Sequence, residues 1–353
     1  MRVLVGLSGG VDSAVAALLL KQQGYDVVGA TMQIWGKNGI AAKAGHKSAC
    51  YGPDEVEDIE EAKKIAEKIG IPYYVFNCVE QYEKIVLENF KSEYLKGRTP
   101  NPCVFCNAYV KFGALPLIAR ENGIYFEKFA TGHYARIEEQ NGKFCLKCGI
   151  ASEKDQSYFL YRLTQEQIKN IIFPLGNYTK NETRQIAKIN GLDVAEKPDS
   201  QDFYGGNYNE LLGINNKIGN IVDTNGKILG SHNGFWNYTI GQRKGLGVSS
   251  KEPLYVLSLN KDKNEVVVGE FNKTFKKELI AGDLNFIVND MPNNFQVKIR
   301  SAQKPQEATY KMLNKQEIQI TFEEYQQSIA IGQSVVFYDG DTVLGGGIID
   351  RVF

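Results

Sequence analysis

The sequence predicts an α/β fold in which a doubly wound parallel sheet is followed by a small β-rich linker domain and a C-terminal antiparallel β-barrel. Three observations carry this. A short apolar run at the N-terminus meets a glycine turn and then a helix-period segment. Apolar strands and helices alternate through about residue 133, the pattern of right-handed crossovers in a parallel sheet. Beyond about residue 205 helical periodicity nearly vanishes and short β-type runs separated by Gly and Asn take over.

Residues 2–7 (Arg-Val-Leu-Val-Gly-Leu) read as the first strand. Ala14, Val15, Ala17 and Leu18 recur at helical spacing until Gly24 ends that helix. A second strand is expected from Asp26 to Met32. Asp54 and Glu57 form an expected capping box for a helix carrying Val56, Ile59, Ala62, Ile65, Ala66 and Ile69 on one face. Pro72 to Phe76 gives a third strand, and helices follow over about 80–95 and 107–122, the latter stopped by Gly123. Phe129 to His133 closes the next strand.

The texture then changes. Tyr134 to Ile150 alternates around Asn141-Gly142, a favoured two-residue hairpin turn. Thr179 with Glu182 opens another helix, which Gly191 ends. Tyr255 to Leu257 and Glu265 to Val268 belong to the linker domain. Residues 295–300, 318–322 and 334–338 are strands of a closed barrel. The division expected is 1–204, 205–277 and 278–353.

A chain of 353 residues, 43% apolar, exceeds one ordinary core. Its apolar runs fall short of the ~20 residues of a membrane span, and the start lacks a signal-like core, so a cytoplasmic location is expected. Lys+Arg and Asp+Glu balance at 41 each, which gives no global field for a polyanion, so nucleic-acid contact must come from local basic patches. Six cysteines, four of them in Cys-x-x-Cys pairs, fit thiol or metal chemistry in a reducing compartment better than a disulfide framework.

Ser8-Gly9-Gly10-Val11-Asp12-Ser13 lies between the first strand and the first helix, where glycines admit backbone N–H groups to phosphate oxygens and the helix N-terminus favours negative charge. It lacks the lysine of a Walker loop. It therefore reads as the loop of enzymes that split ATP into AMP and pyrophosphate, with Asp12 as a candidate Mg²⁺ ligand. Met32 is a candidate cover for adenine or plain core packing. Thr99 to Asn107 reads as a proline-punctuated loop feeding a helix near Asn107, which makes Cys103 and Cys106 candidate reactive thiols. Cys145 and Cys148 sit in a strand with opposite facing and read as structural. Cys50 and Cys78 are isolated and read as inert.

Several segments in this order, Ser8 to Ser13, Gly97 to Pro102 with Cys106-Asn107 and Lys111-Phe112, Ala130 to Tyr134, Lys154 to Leu160, Gly241 to Gly247 and Leu344 to Ile349, closely resemble the bacterial tRNA-specific 2-thiouridylases over the whole chain. The resemblance implies a sheet of the adenine-nucleotide α-hydrolase type and thiolation of the wobble uridine of tRNA at C2. ATP would adenylate O2, and a sulfur nucleophile would displace AMP. It implies ATP contacts at Gly6, Leu7, Ser8, Gly9, Gly10, Val11, Asp12, Ser13, Met32 and Gly132. Target-base and tRNA contacts fall at Asn101, Pro102, Cys103, His133, Lys154, Asp155, Gln156, Arg300 and Gln333, and Cys106 matches the catalytic cysteine.

The family commonly has a second cysteine where this chain has Tyr204, and some members have aspartate where it has Cys103. Two accounts of sulfur delivery follow. Cys103 and Cys106 share persulfide transfer and its resolution, or Cys103, Cys106 and Cys50 hold a [4Fe-4S] cluster. A sulfur-donor or relay protein is the expected partner. The competing readings are an amide ligase or amidotransferase acting on a small molecule, and a non-catalytic, nucleotide-responsive tRNA-binding protein.

Overall fold

The computed structural model describes residues 1–36, 50–140, 142–197 and 203–353. The chain divides into two compact units. The first comprises Met1–Leu87, Pro102–Gly206 and Asp341–Leu344, and the second comprises Glu88–Asn101, Asn207–Gly340 and Gly345–Phe353.

In the first unit, β1 (Arg2–Gly6), β2 (Asp26–Gln33), β3 (Tyr73–Asn77), β4 (Lys128–Ala130) and β7 (Ile171–Ile172) form a parallel sheet in the order β3-β2-β1-β4-β7. Central position explains the composition of β1: Val3, Leu4 and Val5 are fully buried, as a strand covered on both faces requires. Helix α1 (Val11–Gln22), helix α2 (Glu55–Ile69) and the helix Lys180–Ile189 pack small residues into one core with Val3 and Val5, among them Ala14, Ala17, Ala62, Ala66 and Ala187. Small side chains allow the helices to approach closely.

A hairpin of β5 (Ala135–Gln140) and β6 (Lys143–Cys148) pairs Gln140 with Lys143 across a two-residue turn, as the sequence predicts. Its Gly142 has φ 75°, and Asn141 lies outside the described residues.

Three local expectations fail for identifiable reasons. Asp54 makes no side-chain cap on α2, and Glu55 turns back so that its carboxylate accepts the N–H groups of Ile34 and Trp35. Val56, expected inward, is 61% exposed, so the buried face begins one turn later. The helix expected near Asn107 starts at Pro102, a residue suited to the first helical position because its missing N–H costs nothing there.

That earlier start creates one helical run, Pro102–Glu121, of 20 residues, long and apolar enough by length and composition to cross a membrane. The sequence reading did not anticipate it. Val104, Val110, Phe112, Leu115 and Ala119 of this run are buried inside the first unit.

The second unit holds a four-stranded sheet and a closed barrel. β8 (Gly219–Val222), β9 (Ile228–His232), β10 (Tyr255–Asn260) and β11 (Glu265–Gly269) pair in the order β10-β11-β8-β9. The barrel runs β12 (Phe275–Phe286), β15 (Ile318–Gln327), β14 (Gln306–Met312), β13 (Asn294–Lys298), β16 (Ser334–Asp339) and β17 (Thr342–Val352). β12 pairs with both β15 and β17 through register shifts, and this closes the ring and removes free edges.

Candidate functional site

β1 delivers the chain into a loop that folds back on itself. Ser8 N–H donates to Ser13 Oγ (3.1 Å), the two hydroxyls lie 3.2 Å apart, and Ser13 Oγ donates to Gly10 O (3.1 Å). Gly9 has φ 72°, and a Cβ there would meet Asp58 O at 2.7 Å, so this position excludes side chains on two grounds. Gly10 caps α1 with no side-chain hydrogen bond, which leaves the first-turn amides oriented toward the loop. Gly132 closes the opposite wall, because a Cβ there would lie 2.6 Å from Asp12 C and 2.7 Å from Ser13 N. Met32, in β2 beside Phe76, is half-buried.

Asp12 does not stand ready for a metal ion. Lys180 Nζ donates to both of its carboxylate oxygens at 2.8 Å, and Tyr134 OH donates to Oδ1 at 2.8 Å. With both oxygens engaged by cationic and hydroxyl donors, the arrangement does not fit the expected Mg²⁺ ligand. A second lysine flanks the loop, since Lys197 Nζ reaches Gly9 O (3.4 Å), Asp58 (2.9 Å) and Glu61. Sequence reading missed both lysines. The available signal was Lys180 at the first position of a capped helix, where the macrodipole opposes a cation.

The thiols lie in the same unit. Cys103 falls in the first helical turn, and Cys106 opens a π-helical segment, Cys106–Ala114. Being three apart on a helix, they share a face, which the expected loop would not guarantee. Cys106 is 8% exposed; burial pushes its thiol up to about 12, with Lys111 opposing the shift. Cys78 is likewise pushed to about 12 by burial, with Cys106 adding to the effect. Cys50 is exposed by surface area yet stands amid dense protein, and this desolvation raises it to about 12, with Cys103 adding and Lys111 opposing. Cys50 therefore lies within electrostatic reach of Cys103 and Cys106, and Cys78 within that of Cys106, so Cys50 and Cys78 are not isolated. Among the described residues no group of three or more His, Cys, Asp or Glu is placed to hold a metal ion.

Cys145 and Cys148 meet different partners, Gln140 and Ser157, as residues on opposite strand faces should. All six cysteines are thiols outside any disulfide.

His133, expected to face tRNA, is 9% exposed and sits against Phe112 and Phe173, its Nδ1 2.7 Å from Thr131 Oγ1. Burial, then the Lys111 charge, holds it well below the usual histidine range, so it is neutral at pH 7. It is a core residue in this conformation. Asp155 accepts from the N–H groups of Gly149 and Ser157 (3.1 Å each) and from Ser157 Oγ (2.8 Å). Gln156 ties its turn to Tyr134 by two reciprocal bonds of 3.0 Å. Beside them Lys154 is half-buried.

Pro102, Cys103 and Lys154 to Gln156 belong to the first unit, whereas Asn101, Arg300 and Gln333 belong to the second. There Arg300 is exposed, with one guanidinium nitrogen on Ser328 O, and Gln333 Nε2 donates to Pro100 O at 3.4 Å. Tyr204 is 3% exposed and packs near Tyr51 and Phe203.

A lysine-free phosphate-type loop on a parallel sheet, joined to a thiol-bearing helix and followed by two β modules, defines the class of chain. Family models agree with it segment by segment: a tRNA methyl transferase HUP domain matches residues 1–204, a tRNA methyl transferase PRC-barrel domain 212–270, and an aminomethyltransferase beta-barrel domain 276–349. "tRNA-specific 2-thiouridylase MnmA" of Endomicrobium trichonymphae is 50% identical over 99% of both chains. The proteins of that name from Clostridioides difficile and Acetivibrio thermocellus are each 46% identical, covering 99% of this chain and 98% and 99% of their own. The chain belongs to the tRNA-specific 2-thiouridylase family.

Proposed function

We propose that this chain is an ATP-dependent tRNA-uridine 2-sulfurtransferase acting on the wobble uridine, position 34. The observation that carries the reading is the pairing, within one compact unit, of the Ser8–Ser13 loop with the Cys103–Cys106 helical face. The loop, with Gly6, Leu7, Met32 and Gly132, holds ATP, and uridine O2 attacks the α-phosphorus as pyrophosphate leaves. The terminal sulfur of a Cys106 persulfide then attacks C2, and AMP departs with the former O2. Cys103, on the same face, attacks the sulfur still attached to Cys106, leaving the 2-thiouridine and a Cys103–Cys106 disulfide that a thiol reductant reopens.

ATP arrives with Mg²⁺, but Asp12 is already engaged, so no residue is assigned to the metal. No step is routed through an iron–sulfur cluster. Asn101, Pro102, Lys154, Arg300 and Gln333 are the proposed tRNA contacts, and the working domain division is 1–204, 205–277 and 278–353. A separate relay protein supplies the sulfur, and the setting is the cytoplasm.

The test is a purified reaction of the chain with unmodified tRNA, ATP and a persulfide donor, read as tRNA-dependent ATP–pyrophosphate exchange and as 2-thiouridine by mass spectrometry. Exchange with no thiolation by Cys106→Ala supports the assignment. Exchange that ignores tRNA points to the small-molecule ligase reading, and nucleotide binding with no exchange points to a non-catalytic binder.

A further inference from the structure

We infer that Lys180 supplies the cation for the departing pyrophosphate, the charge this phosphate loop lacks in its own sequence, and that Asp12 serves to aim it. The inference rests on the ATP reading and adds a residue to it.

Four observations converge on Lys180. First, the loop from Ser8 to Ser13 contains no basic residue, yet a pyrophosphate leaving group needs charge neutralisation as well as amide donors. Second, Lys180 is only 8% exposed and its Nζ stands 2.8 Å from each oxygen of Asp12, a residue of that very loop. Third, Asp12 is itself pinned: Tyr134 OH donates to Oδ1 at 2.8 Å and lies 3.0 Å from Thr183 Oγ1, which in turn donates to Thr179 O at 3.0 Å. The bonds run from the phosphate loop to the helix that starts with Lys180, and they hold carboxylate and ammonium in one register. Fourth, Lys180 occupies the first position of a ten-residue helix closed by a full Thr179–Glu182 capping box. A cation there works against the helix macrodipole, and Glu or Asp would suit the local structure better.

Stability alone accounts poorly for such an arrangement. The pair is only half-buried, Lys180 being buried and the Asp12 side chain about a third exposed, and ion pairs of either kind contribute little net stability, so the pair is weak evidence of a purely structural role. An ammonium held at a nucleotide loop by a carboxylate of that loop is instead well placed for exchange. A polyphosphate carries more charge than one carboxylate, and Lys180 can shift its donors to it while Tyr134 keeps Asp12 hydrogen-bonded. The flexible lysine stem suits that movement better than the planar arginine fork.

The test uses the full chain titrated calorimetrically with ATP, inorganic pyrophosphate and adenosine, comparing wild type, Lys180→Met and the double variant Lys180→Met/Asp12→Asn. The double variant removes both charges of the pair together, so no Asp12 carboxylate left without Lys180 confounds the result. Both variants are expected to lose at least about tenfold in pyrophosphate and ATP affinity while adenosine affinity stays unchanged. Wild-type pyrophosphate affinity in the double variant overturns the inference and leaves the ATP reading standing. Equal losses of adenosine and pyrophosphate in Lys180→Met, both recovered in the double variant, assign Lys180 a structural role and likewise overturn it. A wild-type chain that binds neither ATP nor pyrophosphate overturns the ATP reading itself, and this inference with it.

Discussion

Lys111 follows Cys106 by five residues within the π-helical segment Cys106–Ala114, and the i to i+5 repeat of such a segment brings the two onto one face. Burial pushes the thiol up to about 12, and the Lys111 charge acts against that rise. Replacing Lys111 with Met removes that opposition. Alkylation of Cys106 by iodoacetamide, followed by peptide mass spectrometry across pH, should slow and its midpoint should move upward. Each unit of upward movement means about tenfold less thiolate at fixed pH. An unmoved midpoint would show that Lys111 does not act on this thiol.

Alkali should destabilise the fold through the same thiols. Cys78 and Cys106 are raised from 9.0 to about 12 by burial. Between those values the folded chain retains protons that the unfolded chain has lost, so stability falls as pH rises. The contribution is fully present below pH 9 and is lost progressively toward 12. Urea midpoints measured from pH 8 to 11 should decline, and the decline should be shallower in Cys78→Ala, whatever that variant costs at pH 8.

Gly132 is expected to be intolerant of even one methyl group. An added Cβ meets backbone atoms of Asp12 and Ser13 at 2.6 and 2.7 Å, and neither neighbour is a flexible side-chain end. Gly132→Ala should cost about 1–3 kcal/mol in urea unfolding and weaken ATP binding as the loop shifts. Gly52→Ala, with nothing within 4 Å, is the control that should change neither.

Thr179 accepts the N–H of Glu182 in a capping box one residue before Lys180. Thr179→Ala should cost about 1 kcal/mol, read from urea unfolding. If Lys180 is aimed by this helix start, the same variant should also weaken pyrophosphate binding while adenosine binding holds. A stability loss with pyrophosphate binding intact would separate the cap from the site.

What could be read in advance follows the range of the interactions involved. The Ser8–Ser13 loop, the hairpin closing at Gln140 and Lys143, and the Thr179–Glu182 cap are set by residues within a few positions of one another, and each was legible. The start of the Cys106 helix was not, because Thr99 to Pro102 reads as loop by its prolines. Yet Pro102 suits a first helical position as well as it suits a turn, and burial of Val104 and Cys106 favours the helix. His133 was misread for a related reason: its motif points to a site, but its ring packs among Phe112 and Phe173.

By itself the sequence determined the order of elements, the lysine-free loop with its two serines, and the presence of paired thiols, since periodicity, glycine placement and local caps act over a few residues. Only the tertiary structure decided that Asp12 is held by Lys180, 168 residues away. It also decided that Glu55 would bond to the residues just past β2 and leave the cap of α2 unmade, and that Cys50 would come within electrostatic reach of Cys103 and Cys78 within that of Cys106. Those outcomes depend on which strands become neighbours and which groups lose water together, and pairing across a sheet leaves no mark in the spacing of residues along the chain.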